Sequence, residues 1–417
     1  MHPTIYSVFL RNFHEKDSVN YLKKYVEKLS ELHIDYVWFL PFYPVGKTGR
    51  KGTLGSPYSI SDYLAFDETY LTDKEFDQLC STLKLNQMKI MIDIVFHHCS
   101  HDHPFIHVDN YIDKGGPSDS AAEIWSDVAK LNIHNEKLQT ELMDILRFWL
   151  KKGVDGFRCD VASLIPASFW RKCKDFLKNE SNANPFILAE TVSPDFFSQI
   201  FSPQIDYSSE FELKQTFLYT YAYDFYYHWI NLLAENIDLK TFCNSFNQYF
   251  FYFGFPSKKC FFTENHDTPR GLSFLSMEQW KVWNLFFALQ PGAFLLFNGQ
   301  EWGISEKMDL FNPSPIPWSE KQEEIFAFYK TILNVRHLCL KQTSISSLIP
   351  MGKHIIKQII QSDNEKQLVY YNMGSSGTVI SVEENDKPFF NPITNHTAFS
   401  HNSKIALAPY SAVLSAS

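Results

Sequence analysis

Apolar positions along the chain keep two rhythms, and the change between them divides it. Up to about residue 343, short apolar runs alternate with stretches whose apolar residues recur every three or four positions. That is the spacing of strands buried on both faces followed by amphipathic helices. Ile5 to Leu10 read as a first strand, with Leu22, Tyr25, Val26, Leu29 and Leu32 as the stripe of the helix after it; Tyr36 to Leu40 make the next strand. Lys89 to Val95 is an apolar strand that nevertheless carries one acid, Asp93. A helix with Leu138, Leu142, Ile145, Leu146 and Trp149 on one face stops at Gly153, and a short strand then leads into Arg158 and Asp160. The alternation continues with a helix over 166–178, a strand from Pro185 to Ala189 ending at Glu190, a strand from Cys260 to Glu264 ending in Asn265-His266-Asp267, a helix from Met277 to Leu289 and a strand from Ala293 to Phe297. The stretch from Phe196 to Phe255 is aromatic throughout, and is read as a strand near Ile205 to Phe211 with helices on either side of Ile230.

About eight parallel strand-helix units in one domain predict an α/β fold, a (β/α)8 barrel over residues 1–343. Two long polar segments interrupt it: a glycine-bearing loop from Gly46 to Tyr63, and an excursion over 97–135 that forms a short loop domain after strand 3. Loops of that length are usually functional or disordered. From residue 344 the pattern changes to period-two alternation, as in Gln367-Leu368-Val369-Tyr370-Tyr371 and Ala406-Leu407-Ala408-Pro409-Tyr410, which predicts a C-terminal antiparallel β domain over 344–417.

Composition narrows the partners. With 417 residues, 45% of them hydrophobic, the chain can bury a large core, and its net charge of −9 opposes binding to a nucleic-acid polyanion. A neutral substrate is expected, and the 38 Phe, 21 Tyr and 9 Trp suit stacking on hexose faces as well as core packing. No apolar run is long enough to span a membrane, and Met1 to Leu10 lacks the pattern of a signal peptide. The seven cysteines are scattered and odd in number, which points to reduced thiols in a cytoplasm.

The candidate chemistry lies at the strand exits. A strand ending in Arg158-Cys159-Asp160 carries two charges that lose hydration unless they pair or face a cavity, and in isolation a structural ion pair is the plainer reading. Asp93 with His98, Glu190, and His266 with Asp267 stand at other exits, which a parallel barrel gathers at one rim. Two carboxyl groups flanking one bond, about 5 to 5.5 Å apart, are what retaining glycoside cleavage requires. Arg158 would hold Asp160 ionised as nucleophile, burial and neighbouring charge would keep Glu190 protonated as acid, and a third acid could hold substrate hydroxyls.

These residues resemble the α-amylase family of retaining glycoside hydrolases and transglycosylases. Asp93-Ile94-Val95-Phe96-His97-His98 is similar to its first motif, Gly156-Phe157-Arg158-Cys159-Asp160 to its nucleophile motif, Ala189-Glu190 to its proton-donor strand, and Phe262 to Asp267, extended by Thr268-Pro269-Arg270, to its stabiliser motif. Gly55-Ser56-Pro57-Tyr58 resembles the loop whose tyrosine stacks under the sugar, and Pro291-Gly292 to Gly299-Gln300-Glu301 the last strand. The resemblance implies catalytic roles for Asp160, Glu190 and Asp267 and substrate contacts from Tyr58, Asp93, His98, Arg158, His266 and Arg270. It implies hydrolysis of α-1,4-linked gluco-oligosaccharide or starch-like α-glucan; transglucosylation, phosphorolysis, trehalose-forming isomerisation and a non-catalytic sugar-binding relative stand as alternatives. His97 occupies the place of an asparagine that often ligates calcium, and the second domain is shortened, so no cofactor is expected, calcium included. The histidines at 97, 98, 101, 103 and 107 match no standard zinc spacing, so no metal site is assigned. After the nucleophile many starch-degrading members carry Lys-His, where this chain has Ser163-Leu164, which favours short oligosaccharides. Oligomeric state is not legible from the sequence.

Overall fold

The computed structural model describes residues 2–113, 125–180, 185–192, 196, 198, 206–254, 258–363, 365–382 and 388–415. Eight strands close a parallel barrel in chain order: β1 (Thr4–Val8), β2 (Tyr36–Phe39), β3 (Lys89–Ile94), β4 (Gly156–Cys159), β5 (Phe186–Ala189), β6 (Tyr219–Tyr221), β7 (Lys258–Phe261) and β8 (Gly292–Phe297). Around it lie α1 (Ser18–Glu31), α2 (Asp73–Leu85), α3 (Glu136–Lys151), α4 (Ala167–Glu180), α5 (Tyr223–Leu233), α6 (Leu239–Phe253), α7 (Met277–Ala288) and α8 (Glu323–Cys339). α3 follows the expected stripe, burying Leu138, Leu142, Ile145, Leu146 and Trp149, and Asn135 caps its first turn by accepting from the Lys137 and Leu138 N–H groups. Two helices absent from the sequence reading, α2 and α8, complete the ring. α2 carries a readable start, the Thr72/Glu75 capping box, ahead of the buried Phe76, Leu79, Cys80 and Leu83.

The aromatic stretch departs from expectation. Ile205 lies outside the described residues, and Glu210–Lys214 is a one-turn helix rather than part of a strand, opened by a Ser209/Glu212 capping box. Phe211 is 62% exposed, so its place in an apolar-looking run carries no core position. The sixth barrel strand is only Tyr219–Tyr221, too short to show a period. Ile230 falls inside α5 rather than between two helices.

Of the excursion after β3, the described part contains a short antiparallel pair, His98–Ser100 with Val128–Lys130. Beyond α8, a six-stranded sheet runs in the order Ile345–Pro350, Ile355–Gln361, Lys366–Asn372, Ser411–Ser415, Pro388–Asn391, His396–Phe399, with neighbours antiparallel. One face, with Leu348, Ile356, Ile360, Val369, Tyr371, Ala412 and Leu414, joins the barrel's apolar core. The other face packs Ile355, Leu368, Tyr370, Phe389 and Val413 with Ile380, Val382, Ile405 and Leu407. α7 is consequently buried nearly all round, between barrel and sheet.

Candidate active site

Strand register begins the assembly of the site. Asp93 and Arg158 are direct partners across β3 and β4, as are Cys159 and Ala189 across β4 and β5. Asp160 and Glu190, each the residue after its strand, therefore emerge side by side, and both extend the ladder: the Asp160 N–H donates to the Ile94 carbonyl (2.9 Å) and the Glu190 N–H to the Cys159 carbonyl (3.0 Å). Arg158, fully buried, sits among the carboxyl groups. Its Nη1 lies 2.6 Å from Asp93 Oδ1 and 2.6 Å from Asp160 Oδ1, while Nη2 holds Glu190. The rings of Trp38, Tyr58 and Tyr221 surround the guanidinium at 5.4, 5.7 and 5.5 Å.

Three carboxyl groups share one cation, so the cluster cannot be neutral with all of them ionised. Burial pushes Glu190 up to about 8 and Asp93 up to about 7; Arg158 opposes both shifts and the Asp160 charge reinforces them. Glu190 thus carries its proton at neutral pH. Its Oε2 accepts a 2.8 Å hydrogen bond from the Val161 N–H. Val161 has φ +36°, a left-handed conformation that costs a β-branched residue about 1–3 kcal/mol, and this turn immediately after Asp160 aims the N–H at Glu190.

Asp267 stands across the cavity, 44% exposed at its side chain. Its Oδ2 accepts from the Tyr223 hydroxyl (3.3 Å), which in turn accepts from Asn265 Nδ2 (3.1 Å); Asn265 Oδ1 also accepts from the Asp267 N–H (2.9 Å). His266 Nε2 lies 2.7 Å from the Tyr58 hydroxyl and 3.1 Å from Asp267 Oδ2, and burial pushes this imidazole down to about 4, so it is neutral. His98 is 3.1 Å from His97, Nδ1 to Nδ1, and burial lowers both.

Of the nine residues expected at the site, all but Asp93 and Arg270 line one cavity of about 410 Å³. Asp93 lies beneath Arg158, fully buried, with Oδ2 accepting from Trp38 Nε1 at 3.2 Å. Arg270, expected to touch the sugar, faces the other way: its Nη1 pairs with Glu264 (2.9 Å) and its Nη2 donates to the Asn298 carbonyl (2.8 Å), bracing the loop after β7 against the end of β8. Its charge is satisfied inside the protein, which draws it out of the cavity. Sequence reasoning missed Trp38, which holds Asp93, and the Tyr223–Asn265 pair that holds Asp267. Asn265 stood inside a noted motif, whereas Tyr223 lay in the stretch whose elements were misplaced.

A parallel barrel with carboxyl groups gathered on one buried guanidinium at the carboxyl ends of its strands is the arrangement of a barrel enzyme equipped for acid–base cleavage of a glycosidic bond. Residues 19–117 and 122–343 match the model of the α-amylase catalytic domain. Alpha-amylase 3 of Dictyoglomus thermophilum is 22% identical, over 98% of this chain and 92% of its own length. Alpha-amylase MalA of Haloarcula japonica is 21% identical over 91% of this chain, which spans only 56% of that relative. The crystal structure of an α-amylase from Lactobacillus plantarum superposes with a TM-score of 0.91 at 26% identity, covering 99% of this chain and 98% of that one. The chain belongs to the α-amylase family. It is a glycosidase of that type, hydrolysing O-glycosyl bonds.

Proposed function

We propose that this protein hydrolyses α-1,4-linked gluco-oligosaccharide or starch-like α-glucan with retention of configuration, through a covalent glucosyl-enzyme intermediate. The observation that carries the reading is the single guanidinium of Arg158, which holds Asp160 on one nitrogen and the raised-pKa Glu190 on the other, at the floor of a cavity faced by Asp267. Asp160 attacks the anomeric carbon and Glu190 protonates the departing oxygen. Glu190 then takes a proton from water as the intermediate is hydrolysed. Asp267, oriented by Tyr223 and Asn265, binds hydroxyls of the flattened, oxocarbenium-like sugar, with Tyr58, His98, Arg158 and His266 around the same ring. Asp93 and Arg270 act through their neighbours as positioning residues. NMR of product profiles on maltose, maltoheptaose, starch, sucrose and trehalose, with and without phosphate, tests the reading. Maltooligosaccharides should give the α-anomer first; early β-anomer, or products only from sucrose, trehalose or phosphorolysis, would overturn it.

The reading extends to cofactor and setting. His97 is buried beside Trp125, ring centroids 5.2 Å apart, with the Lys130 charge helping to keep its imidazole neutral, and neither imidazole nor a nearby ammonium suits a hard, oxygen-seeking Ca²⁺. Dialysis against a strong chelator should therefore leave rate and melting temperature unchanged. A fall in either that calcium but not magnesium restores would contradict this. All seven cysteines are free and buried, which supports a reducing, cytoplasmic setting. Among the described residues no helix is long and apolar enough to cross a membrane. The partner is a neutral glucan, with no role for nucleic acid or membrane.

A further inference from the structure

The loop from Gly46 to Tyr63 is tied on both sides to its neighbours on the rim. Towards β8, the Leu54 N–H donates to the Phe311 carbonyl (2.8 Å), Thr53 binds Asn312 Oδ1 through its N–H (3.0 Å) and its hydroxyl (3.1 Å), and Arg11 Nη1 reaches the Gly55 (2.8 Å) and Leu310 (3.3 Å) carbonyls. The backbones meet here: a Cβ on Gly52, at φ +59°, would lie 2.7 Å from the Phe311 carbonyl oxygen. Towards the excursion after β3, Lys51 Nζ pairs with Asp127 Oδ1 at 2.9 Å, the Ser59 hydroxyl donates to the Asp127 carbonyl (2.8 Å), and a Cβ on Gly49 would lie 3.0 Å from the Ser126 carbonyl oxygen. Among the described residues these contacts form a continuous wall from the β8 exit past β1 and β2 to β3. Lys51, Asp127, Leu310 and Phe311 are its inner surface in the cavity.

In the closed ring β5 lies opposite β1, so this wall faces Glu190. The side on which Glu190 stands is fixed by chemistry: the proton donor serves the leaving oxygen, so the reducing-end part of a glucan extends over the exits of β4 to β6, past Val161, Val192 and Tyr227. The non-reducing part must extend the other way, into the wall. We infer that the enzyme acts from the non-reducing end of its glucan, and that Lys51 and Asp127 are specificity-determining residues that close the cavity behind the terminal sugars. This rests on the catalytic assignment proposed above and specifies its substrate. Asp127 is 2% exposed and lines the cavity, and its buried Oδ2, without a hydrogen-bond partner among the described residues, would be satisfied by a hydroxyl of the terminal unit. Such a hydroxyl is absent when the chain continues or the end is derivatised, so closed wall and open acceptor select the same substrate end.

The test compares p-nitrophenyl maltoheptaoside with the same compound blocked at its non-reducing end by a 4,6-O-ethylidene group, products being identified by mass spectrometry. The blocked compound should be cut at least about 100-fold more slowly, and the free one shortened from its non-reducing end. Lys51→Ala, which removes the salt bridge between the wall and Asp127, should raise the blocked-to-free rate ratio about tenfold, and Asp127→Asn should raise KM for the free compound more than it lowers kcat. Equal cleavage of blocked and free compounds by the unmodified enzyme would overturn this inference while leaving the hydrolase reading intact. Cleavage of neither would overturn both. The ratio is measured within one enzyme preparation, so it does not depend on the variants folding.

Discussion

Replacing Asp160 with asparagine is expected to lower turnover roughly 10⁴-fold or more, while the melting temperature stays the same or rises. Activity falls because the amide cannot form the covalent intermediate. Stability does not, because Asp93, Asp160 and Glu190 crowd one guanidinium and an uncharged isostere relieves the excess. Glu190→Gln should reduce turnover about 10²- to 10⁴-fold on oligosaccharides, the usual share of a general acid. On a glucosyl fluoride, whose leaving group needs no proton, the first step should be largely spared. The pH profile gives an independent reading: Glu190 must be protonated, so the unmodified enzyme should lose activity as pH rises through about 8, and the glutamine variant should lack that limb. Either purified variant turning over maltooligosaccharide at nearly the unmodified rate would sink the assignment.

Arg158→Met should destabilise the fold by about 3–5 kcal/mol and abolish activity, since it leaves buried carboxyl groups without their cation. The loss has a pH signature. Asp93 and Glu190 already have raised values, near 7 and 8, so the variant tolerates them when they are protonated and suffers as they ionise. Its deficit relative to the unmodified protein, measured by urea unfolding, should therefore widen as pH rises through that range and narrow below it. Arg158→Lys should recover part of the stability but little of the rate, because one ammonium cannot hold Asp160 and Glu190 on separate, fixed nitrogens. A methionine variant as stable as the parent at pH 8 would show that the guanidinium is not what makes this cluster tolerable.

Strands and the charged residues gathered at their exits were legible where a continuous apolar run ends abruptly in charge, as at Asp93, Arg158 with Asp160, Glu190 and Asp267. Those runs are buried strands, and although a single charge at the end of one is most simply a structural ion pair, four charged exits meeting at one rim are not. Legibility failed where local pattern and tertiary environment part company. Tyr219–Tyr221 is three residues long and followed by an aromatic helix, so neither period shows, and the strand was placed too early. Arg270 sits in the same motif as Asp267, yet Glu264, six residues back, turns it inward. Lys51 and Asp127 lie 76 positions apart in aperiodic loops, and only the closed barrel brings them together.

The C-terminal sheet supplies part of the barrel's outer wall. Tyr371 meets Phe286 of α7 edge-on at 5.5 Å, and Gln358 Nε2 donates to the Leu289 carbonyl (3.0 Å), which the end of α7 leaves without a helical partner. A shortened enzyme ending near residue 343 would thus bare the outer side of the α7 helix at Phe286, in a stretch, Val282 to Ala288, that is buried throughout. The sheet is for that reason a poor candidate for modular exchange. A graft from a distant relative would have to reproduce its side-chain volumes against α7 before it could carry any trait of its donor.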